Sequence, residues 1–279
     1  MKFGIHIPQI GRKAGPDAVS DAARQAEDLG FDSIWVNDHL AIPADATYPP
    51  SASFYEPLIT LTWAAAATRR VALGTSVLVL PLRHPVHLAK EIATLDLLSG
   101  GRVILGAGVG WLEGEFSALG VPYDDRGART DESIDILRAC WSQDPVTHSS
   151  AVVAAALDGV RTLPQPGRAI PIWVGGNSRR ALQRAVAKGD GWHGTRMKPD
   201  EVQPVVADLR RQTAADFRIT LRLFWDALED DTDEIKRALD GYSEVGINGL
   251  VLEPRQRGLD DWMRAVEAVW RLAEPWHTA

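Results

Sequence analysis

The sequence predicts an α/β fold, a (β/α)8 barrel of the TIM type, on three observations. Strand-like and helix-like segments alternate eight times along the 279 residues. The strand-like segments are apolar at consecutive rather than alternate positions, as parallel strands buried on both faces are. Eight such units close into a barrel of roughly 250 residues, close to the length available here. A doubly wound open sheet is the rival architecture.

Each element has its own signal. "KFGIHIP" from residue 2 is the first strand, and "PDAVSDAARQAEDLG" a helix with Pro16 in its first turn and Gly30 at its end. "DSIWVN" from residue 32 is the second strand, followed by a polar, proline-rich loop over 38–54 and a helix at "EPLITLTWAAAATR". "VALGTSVLVL" is the third strand; "PVHLAKEIATLDLLSGG" is a helix stopped by paired glycines. "RVILGAGVG" is the fourth strand, then a loop over 111–125 and a helix at "RGARTDESIDILRACWS". Residues 145–170 break the rhythm and read as a loop or small strand excursion inserted after the fourth helix, within one domain spanning 1–279. The alternation resumes with "PIWVGG", "SRRALQRAVAKG", "GWHGT" and "PDEVQPVVADLRRQ", and ends with "FRITLRLFW", "DDTDEIKRALDGYSEVG", "INGLVLEP" and "LDDWMRAVEAVWRLAE".

Composition narrows the function. A net charge of −7 argues against nucleic acid and anionic membrane as partners. One cysteine, Cys140, excludes an intrachain disulfide, and its apolar helical setting reads as core. The amino terminus is too polar for a signal peptide, and no apolar run approaches the roughly 18 residues of a membrane span. The expectation is a cytoplasmic protein.

In such a barrel the functional groups stand at the carboxyl ends of the strands. Strand 2 delivers Asn37, Asp38 and His39 together. Asp38 could orient the imidazole of His39 for proton transfer; alternatively Asp38 caps the loop and His39 is a surface histidine. Thr75, Ser76 and Val77 interrupt strand 3 with small residues, suited to a bulge, a flat ligand or plain tight packing. "GAGVGW", 106–111, puts Trp111 where G-x-G-x-x-G needs its third glycine, so Gly108 and Gly110 read as backbone passing beside something planar. "WVGGNSRRAL" runs Gly175, Gly176 and Asn177 into a helix start with Arg179 and Arg180, an arrangement suited to phosphate, or simply a glycine turn with a cap. His84, His87 and Glu91 lack the H-E-x-x-H order, and no metal is expected. The acidic run 230–234 reads as a solvated helix start.

Five segments in register, "DLGFDSIWVNDH", "HPVHLAKEIATLDLLSGGRVILGAGVGWLEGEFSALGVP", "RGARTDESIDILRACW", "IPIWVGGNSRRALQRAVAKGDGWHG" and "VGINGLVLEP", resemble the bacterial luciferase-like family, most closely its coenzyme F420-dependent oxidoreductase branch. The resemblance implies a flat deazaflavin or flavin ring against strand 3, over a non-proline cis peptide carried onto Ser76–Val77. It implies that Asp38 and His39 face the ring, that Gly175, Gly176 and Asn177 hold the ribityl-phosphate tail, and that Thr195 makes a neighbouring contact. Trp111 stands where some relatives carry an acidic residue, with Glu113 and Glu115 displaced beyond it. That departure leaves the acid unassigned, weighs against a sugar-phosphate substrate, and makes Trp111 an apolar wall over the ring.

The expected function is hydride transfer between bound coenzyme F420 and a small organic substrate, with Asp38 and His39 as the catalytic pair. The alternatives are an FMN-dependent monooxygenase served by a separate flavin reductase, and a cofactor-free binding protein. The resemblance also implies a homodimer, for which "WMRAVEAVWRLAEPW" offers a face unless it packs on its own barrel. Substrate and direction stay open, since the loops over 40–54, 111–125 and 145–170 would shape the pocket.

Overall fold

Apolar runs become strands here because helices cover one side and barrel-filling side chains the other. In the computed structural model, which describes residues 1–49, 51–150, 152–153 and 156–278, β1 (Lys2–His6), β2 (Ser33–Val36), β3 (Ala72–Thr75), β4 (Leu78–Val79) and β5 (Val103–Gly108) come first. β6 (Val146–Ser149) and β7 (Ala156–Val160) pair antiparallel as a hairpin outside the barrel. β8 (Ile172–Gly175), β9 (Gly191–Thr195), β10 (Arg218–Leu223) and β11 (Gly249–Leu252) complete the parallel set. Neighbours run β3-β2-β1-β11-β10-β9-β8-β5-β4, and the additional β3–β5 pairing, Leu73 against Val103, closes the ring. β3 and β4 are two lengths of one barrel strand, interrupted at Ser76–Val77, whose peptide bond is cis. The barrel therefore has eight staves.

The helices are α1 (Pro16–Leu29), α2 (Pro57–Ala67), α3 (Pro85–Ser99), α4 (Glu113–Ala118), α5 (Arg126–Ser142), α6 (Arg179–Lys188), α7 (Pro199–Gln212), α8 (Thr232–Val245) and α9 (Leu259–Ala273). Gly30 ends α1 at φ 106°, a left-handed conformation that glycine adopts without steric cost. The short α4 was read from sequence as loop; six residues are too few to show a helical period. No helix among the described residues is long and apolar enough to cross a membrane.

The aromatic face of α9 is spent on its own barrel, the second of the two readings the sequence leaves open for it. Trp262, Val266, Val269 and Trp270 are buried, and the Trp270 ring lies 4.7 Å from that of Phe31. The exposed apolar residues include Ile59 and Trp63 on α2 and Leu97 and Leu98 on α3. Inside the barrel, Trp35 of β2 lies against Gly4 and Gly74, where any Cβ would collide with its ring. It stacks on Trp173 of β8 at 5.5 Å and on His193 of β9 at 5.2 Å, building the floor beneath the strand tips.

Candidate active site

The carboxyl ends of the strands surround a cavity of about 1010 Å³. His39 lines it and does not use Asp38. Its Nδ1 faces Glu115 Oε2 at 3.2 Å, and Glu115 Oε1 accepts from the amides of Leu40 and Ala41, the latter at 3.0 Å. Burial would push the Glu115 carboxyl up, but the His39 bond and the two amides outweigh it and hold the group below its ordinary range. An ionised carboxylate only accepts, so Nδ1 carries a proton, and Nε2 is the nitrogen left to exchange one. The His39 ring meets Phe54 edge-on at 5.1 Å and Trp111 at 5.9 Å. Tyr48 extends this aromatic side, 5.8 Å from Trp111.

Asp38 is committed elsewhere. Arg83 grips it with two bonds, of 2.6 and 2.9 Å, and the Val79 amide donates to it at 2.7 Å. Arg83 also reaches Glu56 at 3.0 Å. Burial pushes the Asp38 carboxyl up against the pull of Arg83; burial likewise opposes the Arg83 charge, but Asp38 and Glu56 together raise it. The expectation that Asp38 orients His39 is therefore corrected: Asp38 ties the tip of β2 to β4. The two side chains, both beyond the end of β2, take different partners, Asp38 the Arg83 guanidinium and His39 the Glu115 carboxylate. Gln9 fixes the same tip, donating to the Asn37 carbonyl at 2.8 Å and accepting its amide at 2.7 Å.

Ser76 and Val77 line the cavity, as anticipated for the interrupted strand. The Thr75 hydroxyl instead turns into the barrel wall and donates to the Gly106 carbonyl at 2.8 Å. Ser76 Oγ lies 2.8 Å from His193 Nε2, and His193 Nδ1 lies 2.9 Å from Thr220 Oγ1. Burial, with the Arg222 charge adding to it, lowers the His193 pKa to about 3, so the ring is neutral. Arg222 donates to the Ser76 carbonyl at 2.9 Å and pairs with Glu253. His6 is buried nearby and held well below its ordinary range by burial, then by Arg222, His193 and Lys13.

The predicted glycines are also packed closely against the protein's own side chains. A Cβ on Gly108 or on Gly175 would collide with the Val77 side chain, and one on Gly110 with Phe116 and Val79. Close packing around Val77 therefore accounts for the first two. Gly108, Gly110, Gly175, Gly176 and Thr195 line the cavity all the same. Asn177 does not: its side chain donates to the Thr195 carbonyl at 2.7 Å and accepts the Thr195 amide at 3.1 Å, clasping the tips of β8 and β9. Ser178, rather than Asn177, caps α6. Arg179 and Arg180 are exposed and stand outside the wall.

The wall's positive charge lies instead at the ends of β1, β9, β10 and β11. Arg12, Lys13, Arg196, Arg222, Arg255 and Arg257 line the cavity, against three carboxylates, Asp38, Glu115 and Glu253. Among the described residues, Arg12, Lys13, Arg196 and Arg257 have no carboxylate within ion-pair distance. Lys13 donates to the Gln256 carbonyl at 2.9 Å, and burial lowers its pKa despite Glu253 and Asp226. Arg196 and Arg222 lie over the Phe224 ring at 4.1 and 4.8 Å.

Sequence reasoning missed Glu115 as the partner of His39, and Arg83, His193, Arg222 and Lys13 altogether. The only signal was weak: Glu115 stands four residues beyond Trp111. His87 and Glu91 form an exposed pair on α3 at 3.6 Å, and Cys140 is buried.

The family model for luciferase-like monooxygenases matches residues 1–274. An Amycolatopsis mediterranei (strain U-32) protein named F420-dependent glucose-6-phosphate dehydrogenase is 30% identical over 233 residues, covering 77% of this chain and 68% of that one. Among solved structures, the monooxygenase RslO1 from Streptomyces bottropensis matches with a TM-score of 0.83 at 21% identity, over 100% of both chains. An F420-dependent secondary alcohol dehydrogenase in complex with an F420-acetone adduct matches with a TM-score of 0.80 at 20% identity, over 97% of this chain and 98% of that one. At those identities the structural likeness establishes the barrel alone. The family match runs from the first strand to the last helix, and the chain belongs to the luciferase-like monooxygenase family.

Proposed function

We propose that this chain is an oxidoreductase that moves hydride between bound coenzyme F420 and a small organic substrate. The observation that carries the reading is the make-up of one cavity wall: a carboxylate-held imidazole, the strand interruption at Ser76–Val77, and six cations against three carboxylates in a chain of net charge −7. Coenzyme F420 is a deazaflavin bearing a phosphate and carboxylates, and an anion of that kind fits a wall so charged. The relative named as an F420-dependent dehydrogenase supports the same choice. Thr75 and Asn177 drop out as contacts in this reading, their side chains being spent within the protein; Asp38 becomes a positioning residue.

When bound, the deazaflavin supplies the two-electron hydride chemistry. His39, through Nε2, takes or gives the proton that accompanies hydride transfer at a carbonyl or hydroxyl oxygen. Glu115 keeps the proton on Nδ1 and stabilises the ring when it becomes cationic. Trp111, Tyr48 and Phe54 give the apolar part of an organic substrate a surface to lie against. Arg222 of β10 and the cations in the loops beyond β1, β9 and β11 hold the anionic tail, in place of the Gly175–Gly176–Asn177 segment favoured by the resemblance.

The test is titration of the purified protein with F420 and with FMN, followed by absorbance, and then hydride-transfer assays across carbonyl and alkene acceptors. Tighter binding of F420 and turnover with it are expected. Selective binding of FMN with oxygen consumption would move the chain to the monooxygenase reading, with its separate reductase. Binding of neither ring would leave a cofactor-free binding protein. The exposed Ile59, Trp63, Leu97 and Leu98 support a homodimer, checked by light scattering.

A further inference from the structure

Beneath the cavity runs a chain of hydrogen bonds whose direction can be worked out. It comprises Ser76 Oγ to His193 Nε2 at 2.8 Å, His193 Nδ1 to Thr220 Oγ1 at 2.9 Å, and Thr220 Oγ1 to the Trp192 carbonyl at 3.3 Å. All four residues are buried, and the imidazole is clamped flat on Trp35, the two planes 8° apart. The chain ends on a carbonyl, which can only accept. Three contacts need three protons, and the neutral ring and the two hydroxyls carry three.

Only one polarity uses them all. The Thr220 hydroxyl donates to the carbonyl, His193 donates from Nδ1 to Thr220, and the Ser76 hydroxyl donates to Nε2. Reversal would fill two contacts and leave the carbonyl contact without a proton, which is unfavourable. The other proton-bearing group of Ser76 is spent as well, since its amide donates to the Val36 carbonyl at 2.8 Å. Its own carbonyl accepts from Arg222 at 2.9 Å.

We propose that Ser76 offers the cavity lone pairs and no proton, and so selects a ligand that presents an N–H donor there. The inference rests on the deazaflavin reading only in naming that donor: the imide N–H of the ring's pyrimidinedione edge. Ser76 is the contacting residue; His193 and Thr220 are positioning residues that set its polarity. A ligand offering only an acceptor at that point would meet two lone pairs face to face.

Nitrogen-15 NMR of the histidine side chains in the ligand-free protein tests the polarity directly. His193 is expected as the Nδ1–H tautomer, and an Nε2–H tautomer overturns the proposal. Thr220→Val removes the acceptor for Nδ1–H, so His193 should switch to Nε2–H and make Ser76 a donor. F420 affinity should then fall about tenfold, and Ser76→Ala should show a loss of the same order. A switched tautomer with unchanged F420 affinity, or wild-type affinity in Ser76→Ala, overturns the selection. If Thr220→Val fails to fold, Ser76→Ala and the wild-type tautomer still decide. Wild-type protein that binds no F420 refutes the functional reading instead, and the tautomer continues to judge the polarity.

Discussion

Replacing Glu115 separates what its carboxylate does for the fold from what it does for His39. The side chain is 3% exposed and serves three donors: His39 Nδ1 and the amides of Leu40 and Ala41. Glu115→Ala leaves two amides without a partner, and a buried unsatisfied amide costs about 1–3 kcal/mol. With the lost charge-assisted bond the variant should be destabilised by about 3–5 kcal/mol. Glu115→Gln keeps an oxygen for both amides but turns an NH2 toward His39. Nδ1 must then accept, and the neutral ring carries its proton on Nε2. Urea unfolding should show a loss of only about 1 kcal/mol for that variant. Its kcat/KM in hydride transfer should fall about 100-fold, the lower end of what a positioned acid or base contributes. Alanine at 115 with wild-type unfolding, or glutamine at 115 with wild-type kcat/KM, refutes the reasoning.

Acid should weaken the fold through His193. Its folded pKa lies near 3 against 6.5 unfolded, so the unfolded chain binds the proton first and stability falls as pH drops from 6.5 toward 3. Between pH 6 and 5 this amounts to about 1 kcal/mol, read by urea titration; His6 adds to it with the same sign, and His193→Asn should shed its own share of the slope. Arg83→Ala strands a fully buried Asp38 charge and should cost about 3–5 kcal/mol by the same assay. Gly108→Ala drives a methyl into Val77 and should cost about 1–3 kcal/mol, a drop of a few degrees in Tm, which Val77→Ala in the same chain should largely restore.

The staves of the barrel were legible because burial on both faces leaves an unmistakable apolar run. The location of the site followed from the same reading, since strand tips gather whatever polar groups the strands end with. Partners were not legible. His39 and Asp38 look like a pair in one dimension, yet Asp38 is taken by Arg83 and the Val79 amide, and Glu115 arrives from 76 residues away on a helix too short to announce itself. Ser76 and His193 stand 117 residues apart and meet only when the ring closes. The glycines told of close approach but not of what approaches. Val77 fills the space beside Gly108 and Gly175, so those positions serve packing in addition to lining the mouth. The phosphate reading at residues 175–177 rests on backbone amides at a helix start, a pattern that does not tell which side chains stay free, and the Asn177 side chain is taken by Thr195.

The presence of Arg12, Lys13, Arg196 and Arg257 in the same cavity wall as Tyr48, Phe54 and Trp111 bears on kinetics as well as binding. A body of net charge −7 repels anions at long range, while the cations lining the cavity attract them at short range. Anionic molecules are thereby funnelled in charge-first, and the encounter rate should slow as added salt shortens the reach of that field. Cargo with no charge would feel neither the repulsion nor the guidance, and its arrival would be indifferent to ionic strength.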